Sequence, residues 1–367
     1  MLDACEQSPS YIRAIAAYQP GKPVSDLARE MGLDEAIIVK LASNENPLGA
    51  SPLARAAVSA QLSELARYPD GNGFDLKQAL CAHYSVSPEQ IVLGSGSNDV
   101  LELVARAFLA AGTSSVYSQH AFVVYPLAIQ AGGAAGIEVP ARAFGHDLPA
   151  MAAAVREDTR VLWIANPNNP TGTFCPAEQV RDLLVRVPRR VIVVLDEAYN
   201  EYLPDGLRVD TTRWLAQHPN LVITRTFSKA YGLAGLRVGF ALAHPEICDL
   251  LNRVRLPFNV NSLAQAAAQA ALRDQDFVQR SRRANDEGMR QLIQGFERLK
   301  LDYIPSLGNF VSVRVGDAAA VYQRLLRQGV IVRPIGAYGL PAHLRATVGV
   351  ESENARFLQA LEVALHA

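Results

Sequence analysis

Cysteine and histidine are too sparse and scattered in this chain of 367 residues to suggest a metal centre. Cys5, Cys81, Cys175 and Cys248 lie far apart with no CxxC or Cys/His ligand spacing, so they read as packed or surface thiols, not disulfides or metal ligands. The seven histidines do not cluster either. Net charge is also lacking. The 35 basic and 36 acidic side chains leave a formal charge of -1, which gives no positive field for nucleic acid or an anionic membrane. Long apolar runs are absent, and Asp3, Glu6 and Pro9 interrupt the start where a signal peptide needs an unbroken apolar core. A cytoplasmic protein with a small-molecule ligand is the expectation.

What remains is a balanced globular composition, 49% hydrophobic and 19% charged, long enough for two cores. Residues before about 45 read as an arm contributing to a smaller domain, residues 45–262 as a large domain, and residues 263–367 as a small α+β domain. In the large domain, short apolar strands alternate with helical stretches: Ile91 to Leu93, Ser115 to Tyr117, Val161 to Ile164, Val191 to Leu195, Leu221 to Ile223, and Val238 to Leu242. This rhythm predicts an α/β fold with a mostly parallel sheet covered by helices on both faces. Ligands of such sheets bind beyond the carboxyl ends of the strands. Polar clusters follow four of these strands: Gly94 to Asn98, Asn166 to Gly172, Asp196 to Tyr199, and Thr226 to Lys229.

Each cluster has a plain reading beside a chemical one. Gly94-Ser95-Gly96-Ser97-Asn98 is either a strand-to-helix turn with Ser97 or Asn98 as N-cap, or a phosphate cradle of backbone N–H groups. Asp196 either marks a strand end in solvent or keeps a cofactor's pyridine nitrogen protonated, with Tyr199 and Asn169 near the ring oxygen. Phe122 and Tyr125 are core aromatics or stacking partners for a flat ring, Phe122 the better placed of the two. Lys229 follows Ser228 and precedes Arg237 by eight positions, an assortment that fits neither a helix stripe nor an alternating strand. Arg237 forms either a surface ion pair or, with Thr226 and Ser228, a grip on a phosphate.

Taken together, Asn166 to Gly172, Asp196 to Tyr199, Ser228-Lys229 and Arg237 resemble the fold-type I pyridoxal-phosphate aminotransferases in order and spacing. Within them, Ala17 to Lys22, Leu41 to Pro47, Arg67 to Asp70, Arg225 to Ala230 and Leu344 to Gly349 are most similar to the histidinol-phosphate aminotransferase branch. The resemblance implies a large domain built on a seven-stranded sheet, with pyridoxal 5′-phosphate as cofactor. It makes Lys229 the Schiff-base lysine, Asp196 the partner of the pyridine nitrogen, and Gly96, Ser97, Asn98, Thr226, Ser228 and Arg237 the phosphate site. It also implies a homodimer in which Tyr68 reaches the neighbouring cofactor. Tyr18, Asn44, Arg333 and Arg345 would then bind substrate, the arginines serving the phosphate of histidinol phosphate and the carboxylates of glutamate in turn. The branch often has tyrosine where this chain has Phe122, which keeps the stack but loses a hydroxyl. Aromatic amino-acid aminotransferases and threonine-phosphate decarboxylases share enough of these motifs to stand as alternatives.

Overall fold

The computed structural model describes residues 4–17 and 21–366. Its centre is a seven-stranded sheet of β1 (Ile91–Gly94), β2 (Ser114–Ser118), β3 (Ala135–Val139), β4 (Thr159–Ala165), β5 (Ile192–Asp196), β6 (Leu221–Thr226) and β7 (Gly239–Ala243), in the order β1-β7-β6-β5-β4-β2-β3. All neighbours are parallel except β7, which runs antiparallel between β1 and β6.

The apolar runs of β4, β5 and β6 show why this sheet is buried on both sides. Side chains alternate faces along a strand, and here both faces are apolar. Leu162, Ile164, Val193, Leu195 and Ile223 enter one core with helices Pro52–Gln61, Phe74–Tyr84, Ala177–Arg186 and Ser262–Arg273. Val161, Trp163, Ile192, Val194 and Val222 enter the other, against helices Ser97–Phe108, Val124–Ala131 and Pro245–Val254. Each such burial is worth roughly 1.5–3 kcal/mol, so the two cores hold the strand ends rigidly in register. The strand β3 is not among the sequence-based expectations. It is the sheet's edge, and of its five residues only Val139 is buried, so it lacks the apolar run that marks the others.

A second sheet, antiparallel throughout, comprises β8 (Tyr303–Ile304), β9 (Phe310–Arg314), β10 (Arg333–Pro334) and β11 (His343–Thr347) in the order β10-β11-β9-β8. One face, with Val311, Val313, Leu344 and Ala346, packs with Leu292, Phe296, Phe357 and Leu361 of helices Gln275–Arg298 and Glu351–His366. The same alternation turns Ser312 and Arg345, which are register partners, to the other face. Ser312 Oγ donates to the Pro170 carbonyl (2.7 Å), fixing this sheet over the loop after β4. Residues Val39–Lys40 pair in parallel with Val330–Ile331, and Leu27, Ala42, Leu326 and Ile331 bury one another, so the segment ahead of residue 45 packs beside this second sheet. Among the described residues, no helix is long and apolar enough to cross a membrane.

Candidate active site

Beyond the carboxyl ends of β1, β4, β5 and β6, the polar clusters close on a cavity of about 260 Å³, with Arg333 and Arg345 of the second sheet on its wall. Asp196, the last residue of β5, is buried. Its Oδ2 accepts from the Tyr125 hydroxyl (2.9 Å), and Tyr125 in turn stacks on Trp163. Among the described residues, its Oδ1 is buried with no hydrogen-bond partner. Burial pushes the carboxyl up to about 6, against the pull of the Tyr125 hydroxyl. A buried carboxylate with one open oxygen calls for a cationic N–H donor.

Lys229 lies in the loop joining β6 to β7. That loop is cinched by bonds from Phe227 N to Val238 O (3.1 Å), Leu233 N to Phe227 O (2.9 Å) and Gly232 N to Lys229 O (2.9 Å). Its Nζ donates to the Ser43 carbonyl (3.2 Å) and stands 5.8 Å from the Tyr199 ring centre. Burial lowers the amine to about 8, and the positive charges of Arg345 and Arg237 act in the same direction. The lysine is thereby brought close to the neutral, nucleophilic state near physiological pH. Gly232 holds the loop against the chain at Gly49: its φ is +70°, and a Cβ there would fall 1.9 Å from the Gly49 carbonyl oxygen. Gly232→Ala is expected to lower unfolding stability by roughly 2–4 kcal/mol, from left-handed strain plus overpacking, as read by denaturant melting.

The turn after β1 forms a cradle with Arg237. Gly96 has φ +80°, and a Cβ on it would lie 2.2 Å from Arg237 Nη2, so only glycine lets the guanidinium come so near the turn. Ser97 opens the helix Ser97–Phe108. Arg237 Nη1 donates to Ser228 Oγ (3.2 Å) and the Ala234 carbonyl (3.0 Å), and Ser228 N donates to Thr226 Oγ1 (3.1 Å). Helix N–H groups, hydroxyls and a guanidinium converging in this way suit a phosphate.

At the other wall, Arg345 donates through Nη1 to Asn169 Oδ1 (2.6 Å) and through Nη2 to the Ala42 carbonyl (2.7 Å). Arg333 is its register partner on the adjoining strand. Asn44 Nδ2 donates to the Tyr199 hydroxyl (2.8 Å). Burial raises that phenol to about 12, so it keeps its proton at neutral pH.

Asn44, Ser97, Asn98, Phe122, Asn169, Asp196, Tyr199, Thr226, Ser228, Lys229, Arg237, Arg333 and Arg345 therefore all line one cavity, with Gly96 beside it. Tyr68 does not line it. It is 83% exposed and stacks on Phe258 with ring centres 4.7 Å apart. Tyr18 lies outside the described residues. Sequence reasoning missed Ser43, Glu45 and Tyr338 on the cavity wall, and it missed the part played by Tyr125, which sits against Phe122 edge-on and holds Asp196. Ser43 and Glu45 flank Asn44 within the Leu41–Pro47 motif, which was the available signal.

Residues 36–361 match the family described as aminotransferase class I and II. The chain is 60% identical over 365 residues to Histidinol-phosphate aminotransferase 2 of Nitrosospira multiformis, covering 99% of this chain and 93% of that one. It is 61% identical over 355 residues to a histidinol-phosphate aminotransferase of Methylobacillus flagellatus, covering 97% and 96% respectively. Among solved structures, histidinol-phosphate aminotransferase from Sinorhizobium meliloti in complex with pyridoxal-5′-phosphate superposes with a TM-score of 0.92 at 29% identity, covering 100% of this chain and 99% of that one. A buried amine, a buried carboxylate and an anion cradle at the ends of parallel strands thus coincide with a family match along most of the sequence, and the chain belongs to the class I and II aminotransferases.

Proposed function

We propose that the chain uses pyridoxal 5′-phosphate to interconvert histidinol phosphate and 2-oxoglutarate with imidazole-acetol phosphate and glutamate. The observation that carries the reading is identity of about 60% along nearly the whole chain to relatives bearing that name. The residues fit the cofactor. Asp196 Oδ1 is an open, buried acceptor, and the Arg237 guanidinium stands so near the Gly96 turn that a Cβ there would fall 2.2 Å from its Nη2. Bound there, pyridoxal phosphate supplies an aldehyde that takes up the amino group and a pyridinium ring that accepts the electrons released at the substrate's Cα.

The chain's own groups do the rest. Asp196 keeps the ring nitrogen protonated, Tyr199 and Asn169 donate to the ring oxygen, and Phe122 covers the ring face. Gly96, Ser97, Asn98, Thr226, Ser228 and Arg237 hold the phosphate. Lys229 would hold the cofactor through its aldehyde, and, once freed by an incoming amine, its Nζ would take the proton from the substrate Cα as general base and return it as general acid. Arg345 and Arg333, with Asn44 on the same wall, grip the phosphate of histidinol phosphate in one half-reaction and a carboxylate of glutamate in the other. Residues 45–262 carry the cofactor site, and residues 263–367 with part of the first 44 supply the substrate arginines.

The working form is a cytoplasmic homodimer in which Tyr68 reaches the phosphate of the partner's cofactor. Leu53, Leu62, Leu65, Phe74 and Leu256 are exposed, as are Tyr68 and its stacking partner Phe258, apolar side chains that a partner subunit would cover. With 2-oxoglutarate as acceptor, kcat/KM for histidinol phosphate is expected to exceed that for phenylalanine by about 10²-fold, because phenylalanine brings the paired arginines a singly charged carboxylate with two oxygens where histidinol phosphate brings a more highly charged phosphate with three. Comparable turnover of phenylalanine would instead assign an aromatic aminotransferase. Carbon dioxide release from phosphothreonine without a keto acid would assign a decarboxylase.

A further inference from the structure

Asn259 stands between the anion cradle and the exposed aromatic pair, next to Phe258 in the chain. Its Nδ2 donates to Asp99 Oδ2 (2.7 Å) and to the Leu93 carbonyl (3.1 Å), while its Oδ1 accepts from Arg255 Nη1 (2.8 Å). Asp99 Oδ2 also accepts from the backbone N–H of Ser95 (2.8 Å), so the carboxylate that receives Asn259 fixes the turn running through Gly96 into Ser97. On the opposite side, Arg255 Nη1 reaches the Gly71 carbonyl (3.0 Å), and Gly71 lies against the Phe258 ring. Phe258, next to Asn259 in the chain, adopts φ +57° and stacks on Tyr68. A bulky residue holds a left-handed backbone only where its surroundings enforce it. Asn259 on one side and the Tyr68 stack on the other supply that constraint. Both Nδ2 hydrogens and one lone pair of its amide are engaged, so neither aspartate nor alanine reproduces the junction.

We propose that Asn259 is a positioning residue that locks the phosphate-cradling turn to the Tyr68–Phe258 pair. One hydrogen-bond junction then sets both a subunit's grip on its own cofactor and the aromatic group it offers to the neighbouring site. The inference rests on the cofactor and homodimer readings above.

Cofactor retention tests it, with pyridoxal, which lacks the phosphate, as the control. Asn259→Ala is expected to raise the dissociation constant for pyridoxal phosphate about 10-fold, the usual loss when hydrogen bonds to a charged group are removed. The constant for pyridoxal stays unchanged. Asp99→Asn, which keeps the side-chain shape but removes the charge that accepts both bonds, reproduces the pattern. Combined with Tyr68→Phe, the Asn259→Ala effect is less than additive, since the tyrosine is already displaced. Equal weakening toward pyridoxal and its phosphate would show general loosening and overturn the proposal, as would strict additivity with Tyr68→Phe. A wild-type protein that retains no pyridoxal phosphate, or is monomeric, would instead overturn the reading beneath it.

Discussion

Lys229→Ala is expected to lower turnover of histidinol phosphate by at least about 10⁴-fold, since one substitution removes both the nucleophilic amine and the general base. The same variant shows no absorbance change when pyridoxal phosphate is added, because the covalent attachment point is gone. Full turnover by this variant would sink the mechanism. The environment of the amine adds a pH signature. Burial and two nearby guanidinium groups hold Lys229 at about 8, below its unfolded value. The rate at which cofactor-free protein captures the aldehyde should therefore rise about tenfold per pH unit below pH 8 and level off above it, in step with the neutral fraction. The effect on stability has a definite sign. Between about pH 8 and the unfolded value near 10.4, the unfolded chain binds more protons, so stability increases with pH there. The cost of burying the charged amine is fully present below pH 8. Lys229→Met, which keeps the volume and discards the charge, should melt no lower than cofactor-free wild type at pH 7, with the difference narrowing above pH 8. Inactivity without destabilisation separates loss of chemistry from loss of fold.

The residues legible in the sequence are those whose chemistry is concentrated in short stretches at strand ends. Ser228-Lys229 and Asp196 to Tyr199 follow apolar runs that are buried on both faces, so strand and site announce each other. What stays hidden depends on pairs far apart in the chain. Tyr125 holds Asp196 across 71 positions, and Arg345 reaches Asn169 across 176, and no local pattern encodes either bond. The orientation of Arg345 follows from alternation along β11, but only once its pairing with β9 is known. The edge strand Ala135–Val139 is invisible for a different reason. It is mostly solvated, so selection for an apolar run does not act on it. The same long-range dependence explains why Asn259, whose partners Asp99 and Leu93 lie at least 160 positions away, has no signature of its own.

Asp196→Asn is expected to cost on the order of 10³ in kcat, the scale of removing one preorganised electrostatic partner, because the ring nitrogen loses the charge that keeps it protonated. Stability should move the other way. The carboxyl is pushed up to about 6 by burial, above its unfolded value near 3.9. Between those two values the folded chain binds more protons than the unfolded one, so the stability of the cofactor-free wild type falls as pH rises from about 4 to about 6. Above 6 it carries a buried charge whose Oδ1 has no hydrogen-bond partner among the described residues. The asparagine variant has no such charge, so its melting temperature should lack that slope and exceed the wild type's at pH 7. Adding pyridoxal phosphate should restore the order, because only the wild type meets the ring's N–H with a full negative charge. A carboxylate serving structure alone would lose stability and activity together on replacement. One that is held ready for a cation loses activity while the empty fold gains stability, which is the stability–function exchange expected of a preorganised site.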